Sequence, residues 1–178
     1  MFIVGDLNCI GAILSNSIGL TGSFFVFNGA GTKTISSTAP LRGLQLGNAA
    51  LDLTLGQSLT VQAGVNLANG KLVLGNYNLT LLPTANIGAG SASSYVVTNG
   101  TGKFFRTVTT AADTFPIGTT TTFNRVTLAT ETASDIFGIR ILSTVNPSST
   151  KDSATIQRTI DIARTTTDSL NFLTLTFR

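Results

Sequence analysis

Between Leu44 and Leu81 the chain repeats one short pattern, LQLGNAALDLTLGQSLTVQAGVNLANGKLVLGNYNLTL, and that repeat restricts the fold more than any other feature. Apolar residues alternate with polar ones in bursts: Leu44 and Leu46, then Leu51, Leu53 and Leu55, then Leu59 and Val61. Val65 and Leu67, Leu72 and Leu74, and Leu79 and Leu81 continue the series. A period of two puts alternate side chains on opposite faces, so each burst reads as a strand with one buried face. The bursts are too short for a helical period to recur. Gly, Asn or Gln-Ser cuts each one, and these residues suit turns.

The bursts themselves recur. Leu44 to Val65 is 21 residues, Leu51 to Leu72 is 21, and Leu59 to Leu79 is 20. Three strands per cycle of about 20 residues describe one coil of a parallel β-solenoid. Each strand then pairs with its counterpart one coil later, and Leu51, Leu59, Val65, Leu72 and Leu79 stack into a continuous core. The competing arrangement is an antiparallel meander of six short strands. Its best support is Asn69-Gly70, a dipeptide suited to tight hairpins.

The 178 residues suffice for one large domain or two small ones. Charged residues make up 11%, and mean hydropathy is +0.34, values that suit a core-rich or self-associating protein better than an ordinary soluble enzyme. No apolar run approaches the roughly 18 residues of a membrane-spanning helix. Ser, Thr, Asn and Gly supply the polar surface, and Thr favours strands. The net charge of +3 is spread over Lys33, Arg42, Lys71, Lys103, Arg106, Arg125, Arg140 and others. No cluster tracks a phosphate backbone, so a nucleic-acid partner is not expected. Cys9 stands alone, which excludes an intrachain disulfide, and Asp6, Leu7 and Asn8 are not the small residues that lipoprotein processing prefers. The start, MFIVGDLNCIGAIL, has no Lys or Arg before its apolar run and makes a poor signal peptide. It reads as strands inside a fold, so the chain is expected to be a piece of a longer protein whose export signal lies elsewhere.

In chain order, residues 1–43 read as one or two further coils, with Phe24 to Phe27 and Thr32 to Ser36 as strands. Pro83 stops the last Leu-rich strand because it cannot donate to a ladder. Ala85 to Ser94 reads as a loop. Tyr95 to Val97 and Lys103 to Val108 are strands. Longer strands follow: Phe123 to Leu128, Ile136 to Leu142, Thr155 to Ile162 and Leu170 to Phe177. Their spacing of about 13 to 19 residues, with polar turns, suggests antiparallel pairing as in a sandwich. The expected fold is all-β: solenoid repeats over 1–110, then an antiparallel, sandwich-like region over 111–178.

The segments FNGAGTKTIS, the Leu-rich repeats, YVVTNGTGKFFR, TFPIGTTTTFNRVTL and IQRTIDI follow one another in an order that resembles repetitive adhesin-like surface proteins of bacteria exported by the type IX secretion system. The resemblance covers Phe27 to about Ile162. It implies a secreted or cell-surface β-rich module, structural or adhesive, with a sorting domain outside this stretch. The implied partners are neighbouring repeats of the same parent chain, identical subunits in a fibre, and surface glycans. Asp152-Ser153-Ala154 and Asp168-Ser169-Leu170 resemble O-glycosylation acceptors of the same bacteria, which makes Ser153 and Ser169 candidate modification sites. The sequons at Asn78 and Asn99 match the N-glycosylation rule but carry no expectation in a bacterial chain.

The residue types present limit the chemistry. The chain has no histidine, which excludes a Ser-His-Asp triad, a Cys-His pair and any histidine metal site. Asp52, between Leu51 and Leu53, should face solvent. Asp135, Asp152 and Asp161 lie near turns or strand edges, where Asp is structural, so a glycosidase-type carboxylate pair is not expected. The solenoid turns carry Asn, Gln and Ser rather than the Asp that calcium needs. No glycine loop leads into a Lys-Ser/Thr phosphate site. Catalysis, cofactors and metals are therefore not expected. Trp is absent, and Tyr77, in a turn between Asn76 and Asn78, is the candidate glycan contact; otherwise its ring covers the solenoid edge. The second functional reading is a carbohydrate-binding module of a secreted multidomain enzyme. At the N-terminal end Phe2, Ile3 and Val4 bring neither charge nor proline, so that end is expected to pair with preceding coils or with another subunit.

Overall fold

Each turn of the chain visits three faces in succession, and every burst of alternating residues is one face wide. The computed structural model describes residues 2–9, 24–143, 159–165 and 173–177. The first strands, β1 (Phe2–Ile3) and β2 (Leu7–Cys9), lie on the first and second faces. They are followed by β3 (Phe25–Phe27) and β4 (Gly31–Ser37) on the same two faces. β5 (Leu41–Leu55) and β6 (Leu59–Val73) each start on the third face, then continue through the first and second as unbroken 15-residue strands. Then come β7 (Leu79–Leu81) on the third face, β8 (Asn86–Ile87) on the first, β9 (Val96–Val97) on the second and β10 (Phe104–Val108) on the third. Every pairing among these strands is parallel. The result is a parallel β-solenoid of about five turns at a spacing of about 21 residues. Among the described residues there is no helix.

The register explains why a Leu-rich repeat folds this way. Leu53, Leu72 and Val96 stand one above another on the second face, all fully buried. Leu59, Leu79 and Phe104 do the same on the third. Phe27, Leu46 and Leu67 form a ladder on the first. Each such side chain contributes about 1.5–3 kcal/mol by leaving water. The parallel pairing of Leu59 with Leu79 and of Leu53 with Leu72 rules out the meander. Asn69-Gly70, its best support, turns a corner inside β6 instead. Gly70 takes a left-handed φ of 88°, and a Cβ there would lie 2.5 Å from the Asn48 carbonyl oxygen. Only glycine satisfies both the angle and the close approach.

One further difference from the sequence reading has a local cause. The Ala85 to Ser94 stretch contains β8, which pairs with Gly64 and Val65 and closes the first face. A two-residue strand is too short for alternation to reveal. Tyr95, Val96 and Val97 are all buried, so both sides of that strand are covered. Tyr95 packs against Phe123 with ring centroids 5.5 Å apart, and its hydroxyl donates to the Thr119 carbonyl at 2.9 Å.

At the other end the pairing changes. β11 (Asp113–Gly118) joins β9 in parallel, and then β12 (Phe123–Thr130) turns back antiparallel on β11. β13 (Asp135–Leu142) lies antiparallel on β10, and β14 (Thr159–Arg164) on β13. β15 (Leu173–Phe177) lies antiparallel on β12. The first face stops at β8, while the second and third continue as two facing layers, β11-β12-β15 and β10-β13-β14. Phe104 meets Phe115 edge-on between them at 5.3 Å, with Val126, Leu128, Phe137 and Ile139 around the pair. The antiparallel, sandwich-like region thus grows out of the solenoid as part of one continuous sheet.

Candidate functional site

The corner between the second and third faces holds a ladder of amides and hydroxyls. Asn78 Oδ1 accepts from the Lys103 amide at 2.9 Å, and Asn99 Oδ1 accepts from the Gly75 amide at 3.0 Å. The Asn78 amide donates to Ser58 Oγ at 3.1 Å, and the Thr101 amide donates to Asn76 Oδ1 at 3.2 Å. Each side chain satisfies the backbone of an adjacent coil, the role Asn and Ser play in turns generally. Both sequon asparagines are therefore structural members of this ladder. Among the described residues no group of three or more Cys, Asp or Glu side chains converges.

The carboxylates join strands together. Asp161 on β14 accepts from Lys103 Nζ at 2.7 Å and from Arg140 Nε at 2.7 Å, which ties three strands of one layer. Asp113 accepts from Arg106 Nη2 at 2.7 Å and from the Thr109 amide at 2.7 Å, bracing the β10–β11 turn. Burial pulls the Arg106 guanidinium below its ordinary value, and the Asp113 charge opposes that shift. Buried Asp135 pairs with Arg164. Asp52 is exposed beside Lys71 on the outer surface.

The Lys103 ammonium, bonded to the Asp161 carboxylate, holds its pKa below the usual carboxylate range; burial works against this and Arg140 adds to it. A lowered folded-state value means that the stabilisation is complete above the unfolded value of about 3.9 and is lost as pH falls through the folded one. Thermal denaturation across pH 2–7 should therefore show a steeper acid decline for the parent chain than for Asp161→Asn. At pH 7 the variant should be less stable by at most about 1 kcal/mol, because the cluster is partly solvated. Equal acid slopes for the two chains would refute the assignment.

Tyr77 is 41% exposed in the turn between β6 and β7. Its carbonyl lies against Gly102 of the next coil. Among the described residues no second exposed aromatic flanks it, since Phe2 is at the far end of the solenoid. Ser153 and Ser169 lie outside the described residues. A depression of about 220 Å³ opens where the two layers meet, beside Thr98, Thr119 and Ser143. Thr98 Oγ1, buried there, lies 3.2 Å from the carbonyls of Gly118 and Ile141 and accepts from the Ile141 amide at 2.9 Å.

No protein-family model, curated protein or solved structure matches this chain.

One group escaped the sequence reading. Arg125 lies beside Thr114, Thr127 and Thr176 in a shallow depression of about 320 Å³ on the outer surface of the β11-β12-β15 layer. Alternation along FNRVTLAT places Arg125 and Thr127 on one side, a signal available in the sequence. Thr114 reaches the row through the β11-β12 hairpin, and Thr176 through the antiparallel pairing of β15 with β12, which no local pattern shows.

Proposed function

We propose that this chain is a structural and adhesive module of a bacterial cell-surface or fibre protein exported by type IX secretion, and that it acts without catalysis. The observation that carries the reading is the continuous parallel ladder with an outer surface of Thr, Ser and Asn. Stacked coils give length and stiffness, because each coil contacts only its neighbours and the core runs through all of them. The carboxylates support the same reading: Asp113, Asp135 and Asp161 are held in ion pairs that fasten strands. The partners are neighbouring repeats of the parent chain or identical subunits, together with surface glycans.

Antibodies against this module, applied to intact cells of the source organism, test the reading. Labelling should be strong and should vanish when type IX export is blocked. Labelling confined to permeabilised cells would overturn it. The carbohydrate-module reading draws its support from Tyr77, which presents a half-exposed ring on a turn. A lone ring supports a contact rather than a stacking platform, so the adhesive reading is preferred.

A further inference from the structure

We infer that the outer surface of the β11-β12-β15 layer is a binding site for an acidic saccharide, with Arg125 receiving a sugar carboxylate. The inference rests on the adhesive reading and gives it a ligand class. Thr114, Thr127 and Thr176 stand directly opposite one another on three adjacent antiparallel strands. At the usual strand spacing of about 4.8 Å, their hydroxyls form a row about 10 Å long. That length suits a saccharide better than a small inorganic anion. Arg125 is two residues from Thr127 on the same strand, so it sits next to the row, opposite Pro116.

The charge of Arg125 is uncompensated. Arg106, Arg140 and Arg164 each meet a carboxylate. Arg125 has no ion pair or hydrogen bond with the described residues, and its Nε is buried without a partner. Hydrogen bonds between a guanidinium and a carboxylate are among the strong ones, and a bound anion would give this cation a partner. The planar guanidinium fork matches a carboxylate with two parallel hydrogen bonds, and threonine hydroxyls can both donate to and accept from sugar hydroxyls. Arg42 is also unpaired, but it stands at a register break between Leu41 and Gly43 rather than in a hydroxyl row.

Calorimetric titration of the whole chain tests the site, with oligogalacturonate as the carboxylated probe. Methyl-esterified oligogalacturonate, dextran sulfate and sodium sulfate serve as the comparison ligands. The oligogalacturonate should bind saturably and more weakly as salt rises, while the esterified form should not bind. Arg125→Ala should weaken binding by roughly tenfold or more, the factor for losing a charge-assisted hydrogen bond. Arg125→Lys should fall between, because it keeps the charge and loses the fork. Thr127→Val, which removes only a surface hydroxyl, should weaken binding severalfold with the melting temperature unchanged. Equal binding by the parent chain and Arg125→Ala would overturn the inference. So would equal binding of esterified and free oligomers, preference for the sulfated polymer, or no binding of the oligogalacturonate. Any of these outcomes alongside surface labelling of intact cells removes the ligand and leaves the surface-module reading standing.

Discussion

Leu72→Asp should abolish folding. Leu72 is fully buried between Leu53 on one coil and Val96 on the next, and its amide donates to the Tyr95 carbonyl at 3.1 Å. The change forfeits about 1.5–3 kcal/mol of burial and places an unpaired carboxylate in a core, at a further cost of several kcal/mol. Together these approach the whole stability of a typical domain, about 5–15 kcal/mol. Position adds to the effect, because Leu72 is in the middle of the stack and a break there separates the coils on either side. Leu72→Ala should lose about 2–5 kcal/mol and remain folded. Gln62→Asp, at an exposed position of the same strand, should change little. Far-UV circular dichroism and urea denaturation of the three variants give the result. A folded Leu72→Asp chain with the parent midpoint would show that the stack is not the core.

The solenoid was legible because its energy comes from local alternation repeated at a fixed spacing. Leu44, Leu51, Leu59 and their counterparts a coil later show both the face that is buried and the period that stacks it. Other features depend on contacts that no window of sequence contains. β5 and β6 pass through the corner between the first and second faces without breaking, because the pairing shifts register at Gly47 and Gly70 takes the left-handed angle within the same ladder. β8 is visible only through its pairing with Gly64 and Val65. The cover over Tyr95 is likewise a distant one, the Thr119 to Phe123 turn. The candidate site divides the same way. Tyr77 was legible as a turn residue between two asparagines. The Arg125 row was not, because Thr176 joins Thr114 and Thr127 only when β15 pairs antiparallel with β12, a strand far earlier in the chain.

The isolated chain should self-associate through its N-terminal end, and the effect should be large enough to change its apparent mass. Among the described residues β1 pairs only with β3, and β2 only with β4, so no described strand meets the outer backbone row of either. Phe2 and Val4 beside that edge are 75% and 73% exposed. At the opposite end the parallel stacking gives way to antiparallel strands: β12 and β13 lie across β11 and β10, and β15 and β14 are the last strands of the two layers. An open parallel edge next to exposed apolar side chains is a template for another strand. In a fibre or a longer parent chain the same edge would receive the next coil, which links this property to the proposed role. Light scattering or sedimentation across a concentration series should show mass rising with concentration. A Phe2→Lys, Val4→Lys double variant should shift the chain towards monomer, because charges at an edge repel incoming strands. The substitutions remove no buried side chain, so the melting temperature measured at low concentration should be little changed. A parent chain that stays monomeric at high concentration, with β1 and β2 formed, would show that this edge needs no partner.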